Sequence, residues 1–264
     1  MAHPASGLCY LYLVIRASDR LILALDIPHD PANPDRSIEV RDAQALVDRL
    51  GDRVSFYKVG WPLYLAPGGH AFPEALIEQK KRVFLDLKYG DIPHTVRKLV
   101  TALAPSGIEF LTIHGATEAV RQAVEARNAA RPTALRLLRV TLLTSMGAED
   151  LAEMGFSLSV QDYVERMALS AKAAGCDGVV CSGADAANVR AKIGEEMIIV
   201  TPGIRPAGGS ADDHKRLSTA AGAIKGGSDY LVVGRPILRA ADPADAVSRL
   251  LDEMQAAFDA SGRK

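Results

Sequence analysis

The chain is poor in cysteine, with only Cys9, Cys176 and Cys181 in 264 residues. So low and odd a count builds no disulfide framework and suits a reducing compartment such as the cytoplasm. Cys176 and Cys181 stand five apart, with no further Cys or His cluster at zinc-ligand spacing, so both read as small buried hydrophobes and no metal is expected. An excess of charge of either sign is also missing. Lys plus Arg number 31 and Asp plus Glu 32, a formal net charge of −1, which gives no general attraction for nucleic acid or for an anionic membrane. Long hydrophobic runs are absent too. The apolar stretch 8–15 is far shorter than the ~18 residues of a membrane span. It also lacks the basic flank and small-residue cleavage site of a signal peptide. Residues 1–18 therefore read as an extension ahead of the folded unit. What remains is an ordinary globular composition, 48% hydrophobic and 24% charged, which argues against disorder over most of the chain.

Eight short apolar runs recur at a mean spacing of about thirty residues, the size of one strand–helix–strand unit. They are LILAL (21–25), VSFYKV (54–59), VFLDL (83–87), EFLTI (109–113), LLRVTLL (137–143), GVVC (178–181), MIIV (197–200) and YLVV (230–233). Each is apolar on successive residues, as expected of parallel strands buried on both faces. Between them lie amphipathic stretches at 41–50, 119–130, 160–175 and 243–258, the third ending at Gly175 in the place of a helix-terminating glycine. Eight alternations without a linker predict a single-domain (β/α)8 TIM barrel over residues 19–264. A doubly wound open sheet is the alternative and requires a reversal of strand order. Residues 27–40 hold three prolines and read as a long first loop.

In such a barrel function sits at the C-terminal ends of the strands, so the polar residues closing each run are the candidates. The first run ends in Asp26 and the second carries Lys58. The third reads Asp86-Leu87-Lys88-Tyr89-Gly90-Asp91. Asp86 and Lys88 are two apart and share one side of a strand. Asp91 follows a glycine turn and precedes Ile92-Pro93, a place suited to starting a helix. Charges in a barrel mouth are costly to desolvate unless paired, and Lys58 can complete an alternating array with Asp86, Lys88 and Asp91. A second constellation follows the last two strands: TPGIRPAGG (201–209) with Arg205, and Gly234-Arg235-Pro236. Glycine-rich turns and arginines there suit a phosphate, held by backbone N–H groups and a bidentate guanidinium. His94 and His114 read as polar site-lining residues, and Trp61 and Tyr64 as packing.

The segments LILALDIP (21–28), YKVG (57–60), FLDLKYGDIPHTV (84–96), VTLLTSM (140–146), TPGIRPAGG (201–209) and DYLVVGRPI (229–237) occur in a fixed order. Together they resemble the bacterial-type orotidine 5′-phosphate decarboxylase family. The resemblance implies cofactor-free conversion of orotidine 5′-phosphate to uridine 5′-phosphate and CO2, in a homodimer whose sites lie at the interface. Carried over by motif, Asp26 and Lys58 contact the ribose hydroxyls, Asp86 faces the substrate carboxylate and Lys88 protonates C6. Asp91 and Thr95 reach into the partner's site, and Thr144 holds the pyrimidine edge. Arg235 and the Gly234 backbone grip the phosphate, with Arg205 in a closing loop. The family usually has Gln nine residues after that arginine, bridging phosphate and pyrimidine; here the position is His214, whose imidazole can donate one such bond and donates two less easily.

Three other readings share parts of the pattern. Relatives of the same superfamily, 3-keto-gulonate-6-phosphate decarboxylase and hexulose-phosphate synthase, carry D-x-K-x-x-D but need a divalent metal, and the TPGIRP segment and the Lys58 spacing disfavour them. A Schiff-base aldolase would need neutral Lys88, which two flanking carboxylates oppose. A non-catalytic phosphate-binding barrel is supported only by His214.

Overall fold

A computed structural model describes residues 15–28, 35, 37–205 and 218–262. Most of the expected extension, residues 29–34 of the first loop, and His214 lie outside the described residues. Eight strands run β1 Leu21–Ala24, β2 Phe56–Gly60, β3 Arg82–Tyr89, β4 Phe110–Ile113, β5 Arg136–Val140, β6 Gly178–Val180, β7 Ile198–Thr201 and β8 Tyr230–Val233. They close into a barrel in sequence order, each pair parallel, with β8 returning to β1. No strand order is reversed, which removes the open-sheet alternative.

The helices among the described residues are α1 Ile38–Leu50, α2 Trp61–Tyr64, α3 Phe72–Glu78, α4 Pro93–Leu103, α5 Thr117–Ala129 and α6 Ala148–Glu153. They continue with α7 Val160–Ala174, α8 Ala186–Ile193, α9 Ala220–Lys225, α10 Arg235–Leu238 and α11 Pro243–Ser261. The four amphipathic stretches correspond to α1, α5, α7 and α11. Helix α7 starts at Ser159, whose hydroxyl accepts from the Asp162 N–H, and stops at Gly175 with φ 83°. Helices α2, α3, α6, α9 and α10 run four to seven residues, too short to carry a helical period, and the periodicity reading misses them. The fifth run is also shorter than read. Strand β5 ends at Val140, just past which the Thr141 N–H and hydroxyl both donate to the Val180 carbonyl.

The apolar runs are two-faced because two layers need them. Outward residues such as Leu23, Val59, Leu85 and Leu111 pack under the helices. Inward residues form a separate core of Ile22, Ala24, Phe56, Phe84, Phe110, Leu138, Val200, Tyr230 and Val232. Its rings meet edge-on or tilted, Phe56 and Phe110 at 5.0 Å and Phe110 and Tyr230 at 5.1 Å. Arg82 closes the N-terminal end of this core: its guanidinium lies 4.1 Å above Phe56 and donates to both Glu109 carboxylate oxygens. The N-terminal edge is tied on by Ala17, whose N–H donates to Gln255 of α11 at 2.9 Å, while Gln255 donates back to Ile15.

Side chains alternate with period two, so the inward series can be followed up each strand. Ile22 and Ala24 lead to Asp26, Phe56 to Lys58, Phe84 to Asp86, and Phe110 to Thr112. An apolar plug below thus gives way to charge and polarity at the C-terminal mouth.

Candidate active site

The mouth holds a cavity of about 610 Å³. Asp26, Lys58, Asp86 and Lys88 line one side of it, above β1 to β3. Arg205, Gly234 and Arg235 line the side above β7 and β8, and Thr144 lies on the loop after β5. Val140, Leu142 and Val180 form an apolar wall between. Such a cavity fits a ligand with an anionic group over β7–β8 and a polar reacting group over β3.

The charged side is a chain of alternating sign. Lys58 Nζ donates to Asp26 Oδ1 at 3.0 Å and stands 3.5 Å from Asp86 Oδ2. Lys88 Nζ donates to both Asp86 oxygens at 3.0 Å. Lys58 is buried, at 8% exposure. Burial alone pushes its amine down, but the carboxylates of Asp86 and Asp26 outweigh that and hold it above the ordinary value. For Asp86, burial pushes the carboxyl up. The Lys58 and Lys88 ammonium groups, with hydrogen bonds from Lys88 and Thr112, reverse this and hold it below the ordinary range. A side chain at Gly60 would enter this chain, its Cβ falling 3.3 Å from Lys58 Nζ and 3.5 Å from Asp26 Oδ1.

Lys88 reaches the cavity from an irregular backbone. It has φ 46°, a left-handed conformation unusual for a residue with a side chain. The β3–β4 register runs in step to Leu85↔Leu111 and then jumps to Tyr89↔Ile113. Past it, Gly90 packs on the next loop so closely that a Cβ would lie 3.0 Å from the His114 carbonyl oxygen.

Asp91 and Thr95 do not line their own chain's cavity. Asp91 precedes α4 without capping it, since the N-cap is Ile92, whose N–H donates to Asp91 Oδ1 at 2.6 Å. The far end of the charge chain is therefore Asp26 within one chain, and Asp91 stands outside it. His94 and His114 are exposed and neither lines the cavity, against the expectation of site-lining roles. Partial desolvation by the surrounding protein atoms, and then the Arg139 charge, push the His114 imidazole below its ordinary value. Trp61 and Tyr64 pack edge-on at 6.2 Å, and the Trp61 indole donates to the Leu87 carbonyl at 2.7 Å. Among the described residues no group of three or more His, Cys, Asp or Glu side chains is placed to hold a metal ion.

Two residues at the site escape a reading by charge at strand ends. Thr112 is fully buried and bonds both Asp86 and the Lys88 backbone; its signal is its inward place two residues after Phe110. Arg239 lines the cavity one helical turn after Arg235, and its spacing of four is the signal.

Comparison with known proteins agrees with this layout. Residues 19–250 match the sequence profile of the Orotidine 5′-phosphate decarboxylase / HUMPS family. Orotidine 5′-phosphate decarboxylase of Rhodopseudomonas palustris is 47% identical over 239 residues, covering 90% of this chain and 95% of that protein. The enzyme of the same name from Methylobacterium nodulans is also 47% identical, covering 90% and 97%. Among solved structures, orotidine 5′-phosphate decarboxylase from Lactobacillus acidophilus superposes with TM-score 0.75 at 34% identity, covering 89% of this chain and 98% of that one. With a family profile spanning almost the whole barrel and relatives matched end to end, this chain belongs to the orotidine 5′-phosphate decarboxylase / HUMPS family.

Proposed function

We propose that this chain removes CO2 from orotidine 5′-phosphate to give uridine 5′-phosphate, the closing step of pyrimidine nucleotide synthesis, with no cofactor or metal. The observation that carries the reading is the Asp26–Lys58–Asp86–Lys88 chain, facing arginines across one apolar-walled cavity. Breaking the C6–carboxylate bond leaves its electron pair on C6, out of line with the ring π-system. The protein must stabilise that charge with fixed groups. Lys88, already hydrogen-bonded to Asp86 and aimed into the cavity, stabilises the carbanion and then gives C6 its proton; solvent reprotonates the amine. Asp86 stands beside the departing carboxylate and holds Lys88 in place. Asp26 and Lys58 take the ribose hydroxyls, and Thr144 takes the pyrimidine edge. Arg235, the Gly234 N–H and Arg205 hold the phosphate, with His214 completing the substrate contacts. Phosphate binding remote from C6 supplies the positioning energy.

Asp91 and Thr95 belong, in this reading, to the site of a second copy. Supporting that, Ile92 beside them is 65% exposed, and Trp61 of α2 and Leu65 at its end are 43% and 64% exposed. Exposed apolar side chains of this kind suit a homodimer interface. Buried free thiols at Cys176 and Cys181 suit a cytoplasmic setting.

The test is the absorbance decay of orotidine 5′-phosphate with purified protein, with and without EDTA. Loss at one rate in both supports the reading. EDTA-sensitive loss would assign a metal-dependent relative, and binding of uridine 5′-phosphate without turnover would assign a binding protein.

A further inference from the structure

The charge chain explains what Lys58, Asp86 and Lys88 do to one another. It does not explain what holds Asp86 and Lys88 in register across the break in the barrel's ladder. Strand β3 advances four residues from Leu85 to Tyr89 while β4 advances two, from Leu111 to Ile113. Two extra residues of β3 are thus accommodated at the mouth, and Lys88 takes φ 46°. A side-chain-bearing residue holds that conformation only where its surroundings fix it. A regular ladder would bond the Lys88 N–H to a β4 carbonyl; here it donates to Thr112 Oγ1 at 2.8 Å. The same hydroxyl donates its proton to Asp86 Oδ1 at 3.0 Å. One Oγ–H therefore acts as acceptor and donor at once, which a threonine hydroxyl can do and no apolar residue can. Thr112 is 0% exposed, so water cannot replace it without a rearrangement of the strand.

We infer that Thr112 is a positioning residue for the reaction: its single hydroxyl fixes the Asp86 carboxylate and the left-handed backbone that directs Lys88 into the cavity. It touches neither substrate nor the reacting atoms and acts through Asp86 and Lys88. This inference rests on the decarboxylase reading for its kinetic consequence, but its structural content does not. The charged groups facing Asp86 are Lys58 from β2, with Asp26 behind it, and Lys88 from β3 itself. Thr112 is the neutral donor completing that shell from β4. Removing its hydrogen bond takes away a donor that favours the ionised carboxyl, so Asp86 should titrate at higher pH.

The experiment compares wild type, Thr112→Val and Thr112→Ser. Valine keeps the volume and removes both bonds; serine keeps the hydroxyl. With orotidine 5′-phosphate, T112V should lose about 10- to 100-fold in kcat, the scale of hydrogen bonds to charged groups. KM should change far less, and the acid limb of the kcat profile should move to higher pH. T112S should recover most of kcat. In parallel, carbon-13 NMR of the Asp86 carboxyl should show T112V titrating at higher pH than wild type. Should T112V not fold, Thr112→Ala against T112S asks the same question. A T112V enzyme with wild-type kcat, a T112S enzyme as slow as T112V, or an unmoved Asp86 titration would overturn the inference. A wild-type protein with no turnover would overturn the decarboxylase reading alone, and the NMR titration would still decide the role of Thr112.

Discussion

Replacing Lys58 by methionine tests whether the charge chain is an electrostatic unit. Methionine fills similar volume without the ammonium. Lys58 lies 3.5 Å from Asp86, and their side chains are 10% and 12% exposed. At that separation two unit charges interact by about 5 kcal/mol with an effective dielectric of about 20. Burying the lysine costs part of this, and Asp86 keeps Lys88 and Thr112 as partners. A net loss of about 3 kcal/mol at neutral pH follows, at the low end of the range for breaking a buried pair. The pH dependence fixes the cause. In the wild type Asp86 lies below the ordinary carboxyl range, so its contribution is full above the unfolded value and fades as pH falls through the folded one. Lys58 lies above the ordinary amine value, so its contribution is full below the unfolded value and is lost only as pH rises through the folded one. At neutral pH both are therefore complete. In K58M, Asp86 loses one of its two cations and its carboxyl rises. The penalty relative to wild type should then shrink on acidification, as Asp86 takes up a proton in the variant first. Urea denaturation followed by circular dichroism at neutral and acid pH measures this. A penalty independent of pH would mean that packing, not charge, holds Lys58, and no penalty at neutral pH would refute the unit altogether.

Arg235→Ala should lower kcat/KM for orotidine 5′-phosphate by about 10- to 100-fold, the worth of a charge-assisted contact, and leave the unphosphorylated nucleoside nearly unaffected. Equal losses for both would remove Arg235 from the phosphate site. Mixing re-assorted Lys88→Ala and Asp91→Ala chains should restore about a quarter of wild-type activity, because half the dimers are mixed and each then carries one intact site. No recovery would place Asp91 in its own chain's chemistry. Cys176 is buried, and that burial pushes its thiol up to about 12. In a Cys9→Ser background, neither Cys176 nor Cys181 should react with a disulfide reagent at mildly alkaline pH until the protein is unfolded; native labelling would contradict their place in the core.

The barrel was legible because burial on both faces writes continuous apolar runs, and all eight runs became strands of a closed sheet. Asp26, Lys58, Asp86 and Lys88 were legible for a related reason. A charge ending an apolar strand has nowhere to go but the mouth, and each of these four lines the cavity. Thr112 was not, because a threonine inside FLTI looks like one more β-branched strand residue. Only the cross-strand neighbour reveals that its hydroxyl meets Asp86 and Lys88. The same non-locality hid the left-handed turn at Lys88, which arises from a register shift between β3 and β4 and not from any local turn signal. The five shortest helices show no period in one or two turns, and the four amphipathic stretches also leave out α4 and α8. His94 and His114 do not line their own chain's cavity, since nearness in sequence to strand ends says nothing of which way a side chain faces.

The central claim is that Lys88 supplies the proton to C6 from within the charge chain. Turnover of orotidine 5′-phosphate by Lys88→Ala tests it most directly, with binding of uridine 5′-phosphate and the mass of the assembly measured on the same sample. The account predicts a loss of at least about 1000-fold, since one group serves as both charge stabiliser and general acid, in a folded dimer that still binds the product. Turnover near the wild-type rate in that variant would contradict it.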